Sequence, residues 1–183
     1  MRPGLTVEYA VKSTLDRMGS TTIKYQYLQK TEISGREFVK RVVTMSDHSQ
    51  HTVYFYRSDE GIVRVPALSS SEESLVLKLP LRVGESWVQK DYMGTRCTKT
   101  NKHAETIETV STPMGNLRCI KVRQRKPAAV NTDEDSFIWV ARKYGIVKIE
   151  INKKTRNKSI VKTVMTISKF EDLKNPEDKR GGN

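Results

Sequence analysis

The 183-residue sequence has no apolar run near the ~20 residues that a membrane-spanning helix requires. It shows no basic start followed by an apolar stretch, so no secretory signal is expected within these residues. Two readings of its start stand side by side. Met1 followed directly by Arg2-Pro3-Gly4 and a strand-like pattern fits a native cytoplasmic start, and it fits equally a chain from which a leader has been removed. Cysteine is scarce: Cys97 and Cys119 alone exclude a disulfide-dense scaffold. Acidic residues are outnumbered, 21 against 33 Lys and Arg, for a net charge of +12. Helical periodicity is also missing. Nowhere do apolar residues recur at i, i+3, i+4 and i+7 over a dozen positions. Little helix is therefore expected, at most one short turn near 67–74.

The sequence also lacks the usual marks of catalysis. There is no phosphate-cradling glycine loop and no Gly-x-Ser-x-Gly elbow. Its acidic pairs, Glu72-Glu73 and Asp133-Glu134-Asp135, sit in loops, where adjacent acids serve as solvated turn formers. Asp47, His48 and His51 flank one turn. A zinc site needs three or four ligands and no cysteine lies near, so a plain turn is the simpler reading. His103 has no partner that the sequence supplies. No residue takes a catalytic role, and the expectation is a non-enzymatic protein without metal or cofactor.

What is present is a period of two. Leu5, Val7, Tyr9 and Val11 alternate with Thr6, Glu8, Ala10 and Lys12, the mark of a half-buried strand. Ile23, Tyr25 and Tyr27 repeat the pattern until Leu28 breaks its phase, as a bulge does. Tyr54 and Tyr56 share one face of their segment and Val53 and Phe55 the other, which predicts that one pair is exposed. Leu75, Leu77, Leu79 and Leu81 fall on one face, and Pro80 places that strand at an edge or at its end. Thr112-Pro113-Met114-Gly115-Asn116 makes a turn, so residues 103–125 read as a hairpin. With Pro113 facing Asn116, Cys119 faces Val110 and Cys97 lies far up the ladder. Two separate thiols, with Cys119 buried, fit that register better than a cross-strand bridge, while a bridge between sheets stays open. Eleven or twelve short strands at regular spacing predict an all-β fold, a strongly curved antiparallel sheet forming a half-barrel or open barrel. The single domain is read as 1–173, with 174–183 a flexible polar tail.

Charge is unevenly placed. Residues 121–183 hold 16 Lys and Arg against 8 Asp and Glu. Lys153, Lys154, Arg156 and Lys158 concentrate it at one turn. The ordinary reading is solvated edge lysines that discourage edge-to-edge pairing. The sharper one is a surface for an anionic membrane or an acidic protein partner. Nucleic acid is the weaker partner, because no motif of the RNA-binding sheets is present.

Three segments taken together carry a resemblance: Leu79-Pro80-Leu81-Arg82-Val83-Gly84-Glu85-Ser86-Trp87, Glu105 through Val122, and Phe137-Ile138-Trp139-Val140-Ala141-Arg142-Lys143-Tyr144-Gly145-Ile146-Val147-Lys148. In that order they resemble a loose group of uncharacterised bacterial cell-envelope β domains. The match covers roughly residues 75–150. The resemblance implies an exported, lipoprotein-like protein of the periplasm or envelope, whose nearest architecture is the curved sheet of the periplasmic lipoprotein carriers. Those carriers cover the open face of the sheet with helices, and this sequence has none to offer. Concave apolar faces are where ligands usually bind. The candidate lining for a lipid or lipoprotein acyl chain is Val7, Tyr9, Val11, Leu75, Leu77, Leu79, Trp87 and Trp139. The competing reading is that these residues fill an ordinary closed core.

Overall fold

The structure is a computed structural model that describes residues 3–14, 20–93, 96–126, 134–154 and 160–172. Twelve strands are present: β1 (Leu5–Ser13), β2 (Thr21–Ile33), β3 (Arg36–Thr44), β4 (Gln50–Arg57), β5 (Gly61–Val65), β6 (Ser74–Lys78), β7 (Ser86–Met93), β8 (Arg96–Thr112), β9 (Gly115–Arg125), β10 (Glu134–Ala141), β11 (Gly145–Lys154) and β12 (Ile160–Asp172). All lie in one antiparallel sheet of order β6-β5-β4-β3-β2-β1-β12-β11-β10-β9-β8-β7. Each strand pairs with its neighbour in sequence, apart from β6 and β7, and β1 pairs with β12. The sheet is thus curled nearly into a closed barrel, and the one ladder missing from the ring is β6 to β7.

No helix occurs among the described residues. The short helical turn expected near 67–74 is a β-turn instead. Ser70 N–H donates to Ala67 O at 3.0 Å, and the Ser70 hydroxyl then accepts from Glu72 N–H at 3.0 Å. A serine that satisfies a backbone donor locally competes with helix formation. The bulge expected at Leu28 is present, since the β2–β3 ladder shifts between Tyr27 and Lys30. Four further shifts, at Glu8/Tyr9, Ile62/Val63, Ala104/Thr106 and Trp139/Val140, bend other strands. Bulges of this kind supply the curvature that a closing sheet needs. Strand β6 is indeed an edge, and it ends at Lys78, just before the Leu79–Pro80 peptide.

The 103–125 hairpin forms, but its register differs from the expected one. Thr112 pairs with Gly115, so the loop is the two residues Pro113 and Met114, and Cys119 faces Glu108 rather than Val110. The Thr112 hydroxyl tightens this loop, accepting from Met114 N–H at 3.1 Å and donating to Gly115 O at 2.9 Å. Gly115 takes φ 106, a conformation that a side chain would strain. Both cysteines are free, Cys97 exposed and Cys119 buried.

Apolar side chains gather in three clusters. The largest contains Val7, Tyr9, Val11, Cys119, Trp139, Val147 and Ile167. A second surrounds Trp87, Ala104, Val122 and Ile138. The third joins Phe38, Tyr56, Val63 and Val65, with Leu68 of the 66–73 loop packed against it. Neighbouring residues of β4, Phe55 and Tyr56, are both buried. The expected exposed pair on that strand is therefore absent: side chains cover both of its faces.

Candidate ligand site on the inner face

Side chains opposite one another across a sheet share a face, so rows can be followed around the barrel. One row runs Trp87, Lys102, Gln124, Ser136, Ile151, Thr163, Ser13. The row beside it, two residues along on each strand, runs Ala104, Val122, Ile138, Ile149, Met165, Val11. The first is mostly polar and the second wholly apolar. The inner face is thus amphipathic across a single step of the sheet.

The polar row is most unusual where it meets the seam. Trp87 and Gln89 on β7 face Lys102 and Thr100 on β8, and all four are buried. Lys102 Nζ donates to Val76 O of β6 at 3.0 Å and lies 5.8 Å from the Trp87 ring centre. Burial pulls its ammonium down to about 8. Asp91 opposes that shift and Arg64 adds to it. Around this lysine, Trp87 Nε1, Gln89 Oε1 and Thr100 Oγ1 have no hydrogen-bond partner. A buried polar atom left without a partner costs roughly 1–3 kcal/mol, so three in one place are a notable concentration.

Side chains also bridge the seam itself. Asp91 of β7 pairs with Arg64 of β5 and accepts from the Ser74 hydroxyl of β6 at 3.2 Å. Gln89 Nε2 donates to both Asp91 oxygens, at 2.8 and 2.9 Å. Lys78 Nζ meets Glu85 at 2.6 Å, which holds the Glu85 carboxyl below its ordinary range. Leu75, Leu77 and Leu81 pack beside Trp87 beneath these bridges.

The sequence-derived lining separates into groups. Val7, Tyr9 and Val11 share the inner face of β1 and are buried; Tyr9 O–H donates to Ile146 O at 2.7 Å. Leu75, Leu77 and Trp87 come together at the seam. Leu79 belongs to none of the three clusters; its N–H donates to Glu60 O at 2.8 Å. Trp139 is buried in the same cluster as Val7, Tyr9 and Val11, at the bulge between Trp139 and Val140. There Nε1 donates to Glu108 at 2.9 Å, a bond that lowers the Glu108 carboxyl, and the Lys148 ammonium sits 4.2 Å from the ring centre. Lys153 and Lys154 are exposed at the end of β11; Arg156 and Lys158 lie outside the described residues, as does the 174–183 tail.

Lys102, Gln89, Thr100, Asp91 and Arg64 were not singled out from the sequence. The one legible signal was period two: Trp87, Gln89 and Asp91 alternate, as do Thr100, Lys102 and Ala104. A lysine and an aspartate read as solvent-facing until the curl of the sheet turns them inward.

A groove of about 560 Å³ runs along β7–β9; it is lined by Ser86, Val88, Asn101, His103, Glu105, Arg123 and Arg125, and by Trp87 and Lys102 as well. Of its cations, Arg123 is already engaged. It binds Asp135 through two nitrogens, at 3.0 and 2.9 Å, and approaches Glu105 at 3.7 Å. The turn Asp47-His48-Ser49 is likewise self-satisfied: Asp47 Oδ1 accepts from Ser49 N–H at 3.0 Å and from its hydroxyl at 2.6 Å. Among the described residues, no three His, Cys, Asp or Glu side chains converge as metal ligands would.

No family model and no curated protein matches the chain. Two solved structures are similar to it. A protein of Bacteroides fragilis, assigned as exported and as having a YMCC-like fold, superposes with a TM-score of 0.60 at 14% identity, over 93% of this chain and 96% of that one. A protein of Parabacteroides distasonis, assigned as a lipoprotein, gives 0.48 at 12% identity with the same coverage. The first likeness establishes a shared fold, in line with the bacterial envelope β domains that the three sequence segments resemble.

Proposed function

We propose that this chain is a non-enzymatic cell-envelope protein that holds an amphipathic, acyl-chain ligand on the inner face of its barrel. The observation that carries the reading is the junction of the two inner rows. A polar row with three orphaned atoms around a buried lysine lies one step from a row of Val, Ile and Met side chains. A ligand with polar groups and an apolar body matches that division, and a polar group brought to the seam would supply the missing partners. The seam is the natural way in, because no ladder has to break there. The assignment of the Bacteroides fragilis protein as exported supports the envelope location.

Native mass spectrometry of the purified protein, followed by solvent extraction, tests this. A co-purifying lipid of fixed stoichiometry is expected. A clean apo mass, with no uptake of a fluorescent fatty acid, sinks the reading. A second role is favoured by one observation. Exposed Lys154 pairs with Ile160, an apolar side chain that is 66% exposed, with exposed Lys153 alongside. Cations around an exposed apolar residue suit an anionic membrane surface. Sedimentation with anionic vesicles, lost on Lys153→Glu/Lys154→Glu, is the expected result.

A further inference from the structure

Arg41 on β3 pairs across the sheet with Tyr27 on one side and Val53 on the other, which places its side chain on the same face as Tyr25, Val43 and Phe55. Its guanidinium carbon stands 4.5 Å from the ring centres of both Tyr25 and Phe55, and 6.0 Å from that of Tyr27. Tyr25 in turn packs at 5.0 Å on Tyr9, whose hydroxyl is already committed to Ile146 O. Three aromatic rings thus hold one cation inside the barrel wall. Among the described residues, no carboxylate pairs with it and no acceptor takes a hydrogen bond from it; its Nε is buried without a partner.

Arginine is the cation whose planar fork grips an oxyanion through two parallel N–H bonds. A partly buried guanidinium with only π faces around it has given up water without gaining an acceptor. The other internal arginine, Arg64, has Asp91. Arg36, near the Tyr56 ring, also has a carboxylate, Glu73 at 2.7 Å. Arg41 differs from both in having three rings around it and, among the described residues, no counter-charge.

We infer that Arg41, framed by Tyr25, Tyr27 and Phe55, is an oxyanion site that takes the acidic head group of an acyl ligand. This rests on the reading that the barrel holds an acyl chain, and it names the ligand class as an acid rather than a neutral lipid. The ring faces leave the guanidinium edge as the polar surface, and Val7, Val43 and Val53 supply apolar surroundings.

The test is isothermal titration calorimetry of the full chain with three probes: decanoate, 1-decanol and inorganic phosphate. The wild type is expected to bind decanoate at one site. Arg41→Gln is expected to weaken decanoate by about tenfold or more, the loss of a charge-assisted hydrogen-bond pair, while changing 1-decanol by less than about twofold. Arg41→Lys keeps the charge without the fork; it should fall between the two, and it replaces Arg41→Gln should that variant not fold. Urea midpoints identify a merely structural arginine, whose loss would lower stability and leave the decanoate-to-decanol ratio unchanged. Equal decanoate affinity in wild type and both variants overturns the site and leaves an acyl-binding barrel intact. Arg41-dependent binding of phosphate without uptake of decanoate overturns the acyl identity. Failure of both amphiphiles to bind the wild type removes the acyl reading and this site together.

Discussion

Lys102→Met isolates the energetic consequence of a buried lysine at the seam. The folded value of about 8 lies below the ordinary 10.5 of lysine, with burial as the main cause, Asp91 opposing it and Arg64 adding to it. Between those two values the unfolded chain binds more protons than the folded one, so stability rises with pH across that window. Below pH 8 both states are protonated and the full penalty is present. Above pH 10 the tyrosines act in the opposite direction, since burial raises Tyr9 and Tyr25 in the fold. The interval below the tyrosines is therefore pH 7 to 10; the raised Cys119 thiol opposes the rise within it, equally in wild type and variant. At about 1.4 kcal/mol per unit of displacement, Lys102 should add roughly 2 kcal/mol of stability across that interval. Other lysines also titrate and reduce the net charge of +12, which stabilises wild type and variant alike. The informative quantity is therefore the difference between the two proteins. Urea unfolding at pH 7, 8, 9 and 10 should give a wild-type curve that climbs about 2 kcal/mol more than that of Lys102→Met. The variant should be the more stable at pH 7, where it removes a poorly compensated buried charge. Parallel curves would refute the reasoning, because they would mean that Lys102 reaches water.

Gly61→Ala should cost more than about 2 kcal/mol in a urea melt, because a Cβ at its φ of 152 would stand 2.1 Å from Leu77 O, inside the β5–β6 ladder. Asp91→Asn weakens the acceptor shared by Arg64, Ser74 and Gln89; hydrogen exchange should speed up in β6 and β7 and stay unchanged in β1 and β12. A thiol reagent should titrate one cysteine per native chain, the exposed Cys97, and a second only in denaturant, because burial raises the Cys119 thiol; two fast equivalents would mean that the β8–β9 hairpin opens.

The strands were legible because period two is a local property. Val7, Tyr9 and Val11 announce their shared face within five residues, and the bulge at Leu28 shows as a phase break on the same scale. The hairpin at Pro113 was legible as a turn but not in register. A small change in where the loop closes shifts every partner along the ladder, and only the Thr112 hydroxyl bonds decide between the alternatives. The inner polar row was not legible at all. Lys102 has Thr98, Thr100 and Ala104 on its face of β8, which looks like a solvated edge when the strand is read alone. Its burial follows from where β6 lies once the whole sheet has curled. The partners of Trp139 were not legible either: it joins the cluster of Val7, Tyr9 and Val11, while its ladder neighbours Lys121 and Lys148 and the acceptor Glu108 come from strands that the local pattern does not connect.

The open ladder between β6 and β7 links these observations. Seven residues join the two strands, 79–85, where a hairpin would use two to five. Two backbone bonds tie that connection to β8 instead: Gly84 N–H to Ala104 O at 2.8 Å and Ala104 N–H to Glu85 O at 2.9 Å. The edges that face each other are then joined by Lys102, Asp91, Arg64 and Ser74, groups whose bonds are few and exchangeable with water. A backbone ladder resists opening cooperatively, whereas a handful of side-chain bridges can break singly and in any order. Placing the buried Lys102, the three orphaned atoms and the apolar Leu75–Leu77–Trp87 surface at the one seam without a ladder concentrates chemistry where the barrel opens at least cost. A core built for stability alone would put its polar groups elsewhere, because each raises the cost of closure.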